Sequence, residues 1–177
     1  MNAQKLLVVF YSRTGMTRLV SSMLADELDC AVEELRDERS RAGLWGLVTS
    51  TVDGALERGT RLGAVREDPA SFDLVIVATP VWSRSVSAAV RTYLEERRGR
   101  FRKVAFALTQ GTVGRARVFR QMEELSGRAP LTTLAVTESD FQRGHYRRKV
   151  SRFAARIRAE LRGETPSPEL ASEPLPL

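Results

Sequence analysis

The sequence predicts an α/β fold: a doubly wound, five-stranded parallel sheet with helices on both faces, a three-layer αβα arrangement. Three observations predict it. Apolar runs of strand length alternate with helical stretches along nearly the whole chain, which is a βα repeat. Strands such as Leu74-Val75-Ile76-Val77-Ala78 are apolar at every position, so both of their faces need cover, as in a parallel sheet flanked by helices. Three strand ends carry ligand-type loops, two of them glycine-containing, and such sheets bind ligands outside the carboxyl ends of their strands. With 177 residues and 42% hydrophobic content the chain can bury a full core. One domain is expected over residues 1–162, and the Pro/Ser/Glu-rich tail over 163–177 is expected to be disordered.

The strands are expected at 5–11, 31–35, 73–79, 103–109 and 131–137, and the helices at 15–28, about 43–58, 84–98, 114–126 and 145–161. The first strand runs through the hydroxyl-rich turn Ser12-Arg13-Thr14-Gly15-Met16-Thr17 straight into an amphipathic helix. A helix N-terminus presents N–H groups without intrahelical acceptors and the positive end of the helix dipole, so this junction suits a phosphate. Ser12, Thr14 and Thr17 add hydroxyl donors, and Gly15 lets the backbone approach the ligand. No Lys stands where a Walker A loop needs one, which favours a retained phosphate monoester over a triphosphate poised for transfer.

Cys30 opens the second strand and reads as a small buried hydrophobe. In the next helical stretch Leu44, Leu47, Val48, Thr51, Val52 and Ala55 recur at helical spacing. Trp45 lies among them, either in the core or in a lid near the site. Pro80 is expected to end the third strand by removing a ladder donor. That leaves Trp82 at the sheet's edge, available for stacking or for packing on the following helix. The fourth strand ends in Thr109-Gln110-Gly111-Thr112-Val113-Gly114, a third ligand-type loop that leads directly into a helix. A short link, Glu138-Ser139-Asp140-Phe141, joins the fifth strand to the last helix, whose inward stripe is Val150, Phe153, Ala154, Ile157 and Leu161. His145 beside that helix has no partner cluster in sequence and reads as structural.

Ser12, Thr14, Gly15 and Thr17 match position by position the Thr/Ser-x-Thr-Gly-x-Thr phosphate loop of the flavodoxin family, which the chain resembles from residue 5 to about 161. The uninterrupted fifth strand makes the resemblance one to the short-chain type. It implies strand order 2-1-3-4-5, FMN as cofactor and electron transfer as function. The cofactor-binding residues it implies are Ser12, Arg13, Thr14, Gly15, Met16 and Thr17 around the phosphate. Thr79, Pro80, Val81, Trp82 and Ser83 form the second loop, and Thr109, Gln110, Gly111, Thr112, Val113 and Gly114 the loop around the pyrimidine end of the flavin. No catalytic residue and no metal are implied. The third loop departs from the family in lacking an aromatic residue, which leaves one flavin face open to a substrate or a partner's group. An FMN-dependent oxidoreductase of a quinone or protoporphyrinogen is therefore an alternative, and a binding module on the same fold without flavin is another.

Other functions on similar folds lack their residues here. A phosphorylation receiver needs paired carboxylates after the first strand, where this chain has Tyr11-Ser12, and an Asp where it has Thr79. A dinucleotide-binding turn needs Gly-x-Gly-x-x-Gly, of which Gly15 alone is present. No apolar run approaches the roughly 20 residues of a membrane-spanning helix, and the N-terminus lacks a signal-peptide pattern. The lone cysteine fits a reducing cytoplasm. The net charge of +6 departs from the acidity usual in the resembled carriers. Between 143 and 162 Arg143, Arg147, Arg148, Lys149, Arg152, Arg156, Arg158 and Arg162 stand against Glu160 alone, on the outward face of the last helix. The expected partners are a redox protein or a small aromatic or quinone-type acceptor, with the basic helix meeting an acidic protein or an anionic membrane surface. Nucleic acid fits least, since no recognition motif accompanies the charge.

Overall fold

A computed structural model describes residues 4–38, 60–110 and 114–163. The helix expected over 43–58, with Trp45, lies outside the described residues, as do Gly111, Thr112, Val113 and the tail beyond 163.

Strand β1 (Leu6–Phe10) leads to helix α1 (Met16–Leu28), and β2 (Ala31–Glu34) follows. Next come β3 (Leu74–Trp82), a two-residue strand β4 (Ser85–Val86), α2 (Ala88–Glu96), β5 (Val104–Gln110) and α3 (Arg115–Ser126). The chain closes with β6 (Thr133–Thr137), the short α4 (Glu138–Gln142) and α5 (Tyr146–Arg162). The sheet order is β2-β1-β3-β5-β6, all parallel, with β4 antiparallel on β3. With β4 set aside, the five parallel strands stand in the order 2-1-3-4-5.

Because side chains alternate across a strand, the sheet sorts its residues into two cores. Leu7, Val9, Val75, Val77, Phe106 and Leu108 face Val90, Tyr93 and Leu94 of α2 and Val118 and Met122 of α3. Val8, Phe10, Leu74, Ile76 and Ala78 face Val20 and Leu24 of α1 and Val150, Phe153 and Ile157 of α5. The central strands are buried on both sides, which is why they are apolar throughout. β2, at the edge, is not, and its Val32 is exposed. The return from 60 to 68 is tied to this edge by the buried Glu33 carboxylate, which accepts the N–H groups of Arg66 at 2.5 Å and Glu67 at 3.0 Å.

Two expectations are corrected. Pro80 does not end β3. The N–H of Val75 points toward β5 and the carbonyl of Ala78 toward β1, so by alternation the donor that Pro80 lacks would face the β1 side, where β1 has ended at Phe10. The strand continues to Trp82. Nor does a helix begin at 84. Ser83 and Arg84 both have positive φ, 48° and 60°, and turn the chain into β4 with Trp82 opposite Ser85. This is the geometry of a two-residue hairpin, and α2 starts only after Ser87. The link after β6 is itself helical, closed by a capping box between Thr137 and Asp140. Lys149 of α5 donates to the same Asp140 carboxylate at 2.9 Å.

Cys30 is half-buried against the α1/α5 core, and burial, followed by the nearby Asp29, pushes its thiol up to about 11. It is a packing residue with little thiolate character. No helix among the described residues is long and apolar enough to cross a membrane.

Candidate functional site

The carboxyl ends of β1, β3 and β5 bring the three expected loops to one edge of the sheet. The first is a ring of donors. Gly15, at φ 92°, is the N-cap of α1 and has no side chain to cap with. Ser12 supplies the acceptor instead: its Oγ takes the N–H of Gly15 and of Arg18, each at 3.2 Å. Among the described residues the N–H groups of Thr14, Met16 and Thr17 have no partner. A Cβ on Gly15 would meet nothing within 4 Å, so the loop faces open space. Unpaired donors, a helix N-terminus and an accessible backbone together make a receptor for a phosphate or carboxylate. Arg13 and Thr14 are exposed beside it, and Met16 is half-buried.

Three threonines of the expected site, Thr17 and Thr79 among them as hydroxyl donors to a ligand, are buried, and they join the loops to one another. Thr17 and Thr109 share a hydrogen bond at 2.8 Å, which ties the start of α1 to the end of β5. Thr79, fully buried, donates to the Pro80 carbonyl at 2.9 Å, shares a hydrogen bond with the Ser87 hydroxyl at 3.0 Å and accepts the Ser87 N–H at 3.2 Å. It locks the strand end to the start of α2. These three hydroxyls are engaged with one another, with Ser87 and with the Pro80 carbonyl, and so shape the loops.

The second loop is the β3–β4 hairpin. Val81 is half-buried opposite Val86, Trp82 closes the ladder, and Ser83 and Arg84 form the exposed turn. The Gln121 side-chain oxygen braces β4, accepting from the Ser85 hydroxyl and the Val86 N–H at 3.3 Å each. Arg91, almost wholly buried, reaches Ser85 Oγ at 3.4 Å. The third loop leaves β5 after Gln110 and re-enters the described residues at Gly114, the N-cap of α3 at φ 104°. A Cβ on Gly114 would lie 3.1 Å from both Cβ and Cγ of Arg84, so the second and third loops are in contact there. Hence Ser12–Thr17, Thr79–Ser83 and the flanks of Thr109–Gly114 do converge, and the threonine and Gly114 contacts are what join them.

Reading the sequence missed Ser87, Gln121 and Arg91. Ser87 was legible in principle, as a hydroxyl residue just before a helical run. Gln121 and Arg91 act across element boundaries and leave no local pattern. His145 is the exposed residue preceding α5 and takes no part in the site. Among the described residues no three His, Cys, Asp or Glu side chains are grouped as metal ligands.

No family model and no curated protein matches this chain. Solved structures do. A putative flavoprotein from Bacteroides uniformis ATCC 8492 has TM-score 0.70 at 16% identity, covering 87% of this chain and 99% of that one. A flavoprotein from Lactobacillus acidophilus NCFM, crystallised in complex with FMN, has TM-score 0.63 at 19% identity, covering 80% and 98%. A Fusobacterium nucleatum flavodoxin bound to flavin mononucleotide has TM-score 0.55 at 10% identity, covering 89% and 99%. With its parallel strand order, its helices on both faces and these likenesses along nearly the whole of each neighbour, the chain has the flavodoxin-like fold.

Proposed function

We propose that this protein binds FMN noncovalently at the three-loop edge and acts in electron transfer in the cytoplasm. The observation that carries the reading is the donor ring of the first loop: three N–H groups without partners among the described residues, at the N-terminus of a 13-residue helix, around a glycine that opens onto space. Such a ring fits a phosphate monoester without a neutralising lysine or magnesium. Two of the similar solved structures hold FMN. When bound, FMN supplies one- and two-electron chemistry that no protein side chain here provides.

The chain's residues would divide the work. The N–H groups of Thr14, Met16 and Thr17, with the hydroxyls of Ser12 and Thr14, would hold the phosphate. Thr17, Thr79 and Thr109 fix the loops that flank the ring system, and backbone from Pro80 to Ser83 and from Gln110 to Gly114 would line it. The contribution these residues would make is binding and orientation.

A flavin-free binding module is the second reading. It is favoured by Ser12 accepting from the start of α1 and by Thr17 pairing with Thr109, which engage these hydroxyls within the protein. Visible absorption of the purified protein, before and after incubation with FMN, separates the two. The first reading expects a flavin spectrum and FMN affinity well above that for riboflavin, because the donor ring acts on the phosphate alone. Thr14→Ala is expected to weaken FMN by about 1.5–3 kcal/mol, the usual worth of a hydrogen bond to a charged group. Equal affinity for FMN and riboflavin overturns the phosphate assignment.

A further inference from the structure

The outward side of α5 carries cations that the fold itself does not use. Arg143, just before the helix, and Arg147, Arg148 and Arg152 within it are exposed. Their side chains make no hydrogen bond or ion pair with any described residue. Arg147 lies over the Tyr146 ring with 5.4 Å to its centroid, a contact that leaves its charge in place. By contrast Arg18, Arg100 and Arg102 are paired, with Glu34, Asp68 and Asp73. Two acidic residues that meet α5 are engaged by other groups. Asp140 holds Lys149, which turns inward from the face where the sequence placed it, and Glu27 accepts from the Ser151 hydroxyl through its carboxylate and from Arg158 through its carbonyl.

Stability does not account for the four arginines. The first turn of α5 holds Arg147 and Arg148 and no acidic residue, so cations stand at the positive end of the dipole of a 17-residue helix. Arg148 and Arg152, four residues apart, are like charges one above the other. Both placements work against the helix, which is held to the core from its other side by Val150, Phe153, Ala154 and Ile157. The arginine face also lacks what a protein interface needs, an apolar centre from which water is excluded. The exposed large hydrophobics among the described residues are Leu19 and Val32, and neither is on α5. Charge without an apolar centre fits a plane of phosphate headgroups, whose oxygens guanidinium groups bind without a shaped pocket. Phe141 and Tyr146, half-buried with ring centroids 4.9 Å apart, set aromatic rings beside Arg147, a residue type that headgroup regions favour.

We infer that the exposed arginine face at the start of α5 docks this protein on an anionic lipid surface. The contact is peripheral and electrostatic, because the apolar stripe of α5 stays in the core. The chain reaches α5 from the carboxyl end of β6, where Thr137 lies opposite Gln110, so the first turns of the helix share an edge with the three loops and the docked protein holds that edge near the bilayer. The inference needs no cofactor and stands apart from the FMN reading.

The full chain, without added cofactor, is mixed with vesicles of phosphatidylcholine alone or with about a third phosphatidylglycerol, and bound protein is measured by sedimentation at low and at high salt. Wild type is expected to bind the phosphatidylglycerol vesicles at low salt, to leave them at high salt and to ignore phosphatidylcholine. Arg148→Glu with Arg152→Glu is expected to weaken binding at least about tenfold. Arg148→Gln with Arg152→Gln removes the unfavourable charges from the helix, so its thermal midpoint should not fall, while its binding should drop about fivefold. Arg120→Glu with Arg128→Glu makes the same change in net charge on and just after α3, across the sheet from α5, and should alter binding less than about twofold.

Wild type that ignores phosphatidylglycerol vesicles at low salt overturns the inference, as do α5 variants that bind like wild type and α3 variants that lose binding as fully as α5 variants. A fall in the thermal midpoint of the glutamine variant assigns the arginines to stability and overturns it too. So does α5-dependent binding to duplex DNA or to succinylated serum albumin when vesicles are not bound.

Discussion

Asp140 accepts from the Thr137 N–H and hydroxyl at 2.8 Å each and from Lys149 at 2.9 Å, linking β6, α4 and α5 through one carboxylate. Burial opposes its charge, but the Thr137 N–H, Lys149 and the Thr137 hydroxyl outweigh that and hold its pKa below the ordinary carboxylate value. A depressed folded-state pKa contributes stability above the unfolded-state value, about 3.9, and that contribution is lost as pH falls through the folded-state value. Asp140→Asn is therefore expected to cost about 1–2 kcal/mol at pH 7 and to flatten the acid limb of the stability curve below about pH 4, both measurable by urea unfolding across pH. At this scale the sequence is informative about residue type and poor on role. Thr79 and Thr109 were legible as hydroxyls at strand ends, and Thr17 as one at a helix start. That two of them pair with each other across 92 positions, and the third with Ser87, depends on strand order and helix placement, which no local window contains.

Loop geometry turns on two glycines that cap helices at positive φ for different reasons. At Gly15, φ 92°, a Cβ would meet nothing, so Gly15→Ala carries backbone strain alone, about 1–2 kcal/mol. At Gly114, φ 104°, the same strain is joined by contacts at 3.1 Å with the Arg84 stem, which must shift. Gly114→Ala is expected to lower the thermal midpoint more than Gly15→Ala and to displace the hairpin, seen as altered hydrogen exchange at Val86. The outcome that counts against this contact is equal destabilisation by the two substitutions. Strands and the described helices were largely legible as elements, because apolar runs and helical spacing are set by burial. The hairpin was not. Pro80 and the polar run after it look like a terminator, and only the neighbouring strand's end at Phe10 makes the proline harmless.

Across the whole molecule the net charge is +6, and the loop sequences at the site's edge, 11–17, 79–87 and 109–117, contain arginines and no Asp or Glu. Reduced FMN is the more negative state, so nearby cations favour it and raise the reduction potential. Arg84→Gln is expected to lower the one-electron semiquinone/hydroquinone potential of the FMN-loaded protein by about 20–60 mV, a two- to tenfold change in preference at about 59 mV per decade. Spectroelectrochemical titration at two salt concentrations checks this, and the difference should shrink at high salt. An unchanged potential shows that Arg84 lies too far from the flavin to act on it. The doubly wound order has one more effect, on the timing of synthesis. β1 is made first but lies inside the sheet, with β2 on one side and β3, starting 68 positions later at Leu74 opposite Leu6, on the other. Until β3 leaves the ribosome, Leu7, Val8 and Val9, all 0% exposed in the finished sheet, have half their lateral pairing and little of their cover. A nascent chain stalled before residue 74 thus presents an unpaired apolar strand edge, and the interval between the first and third strands is when this protein most needs shelter from its own kind.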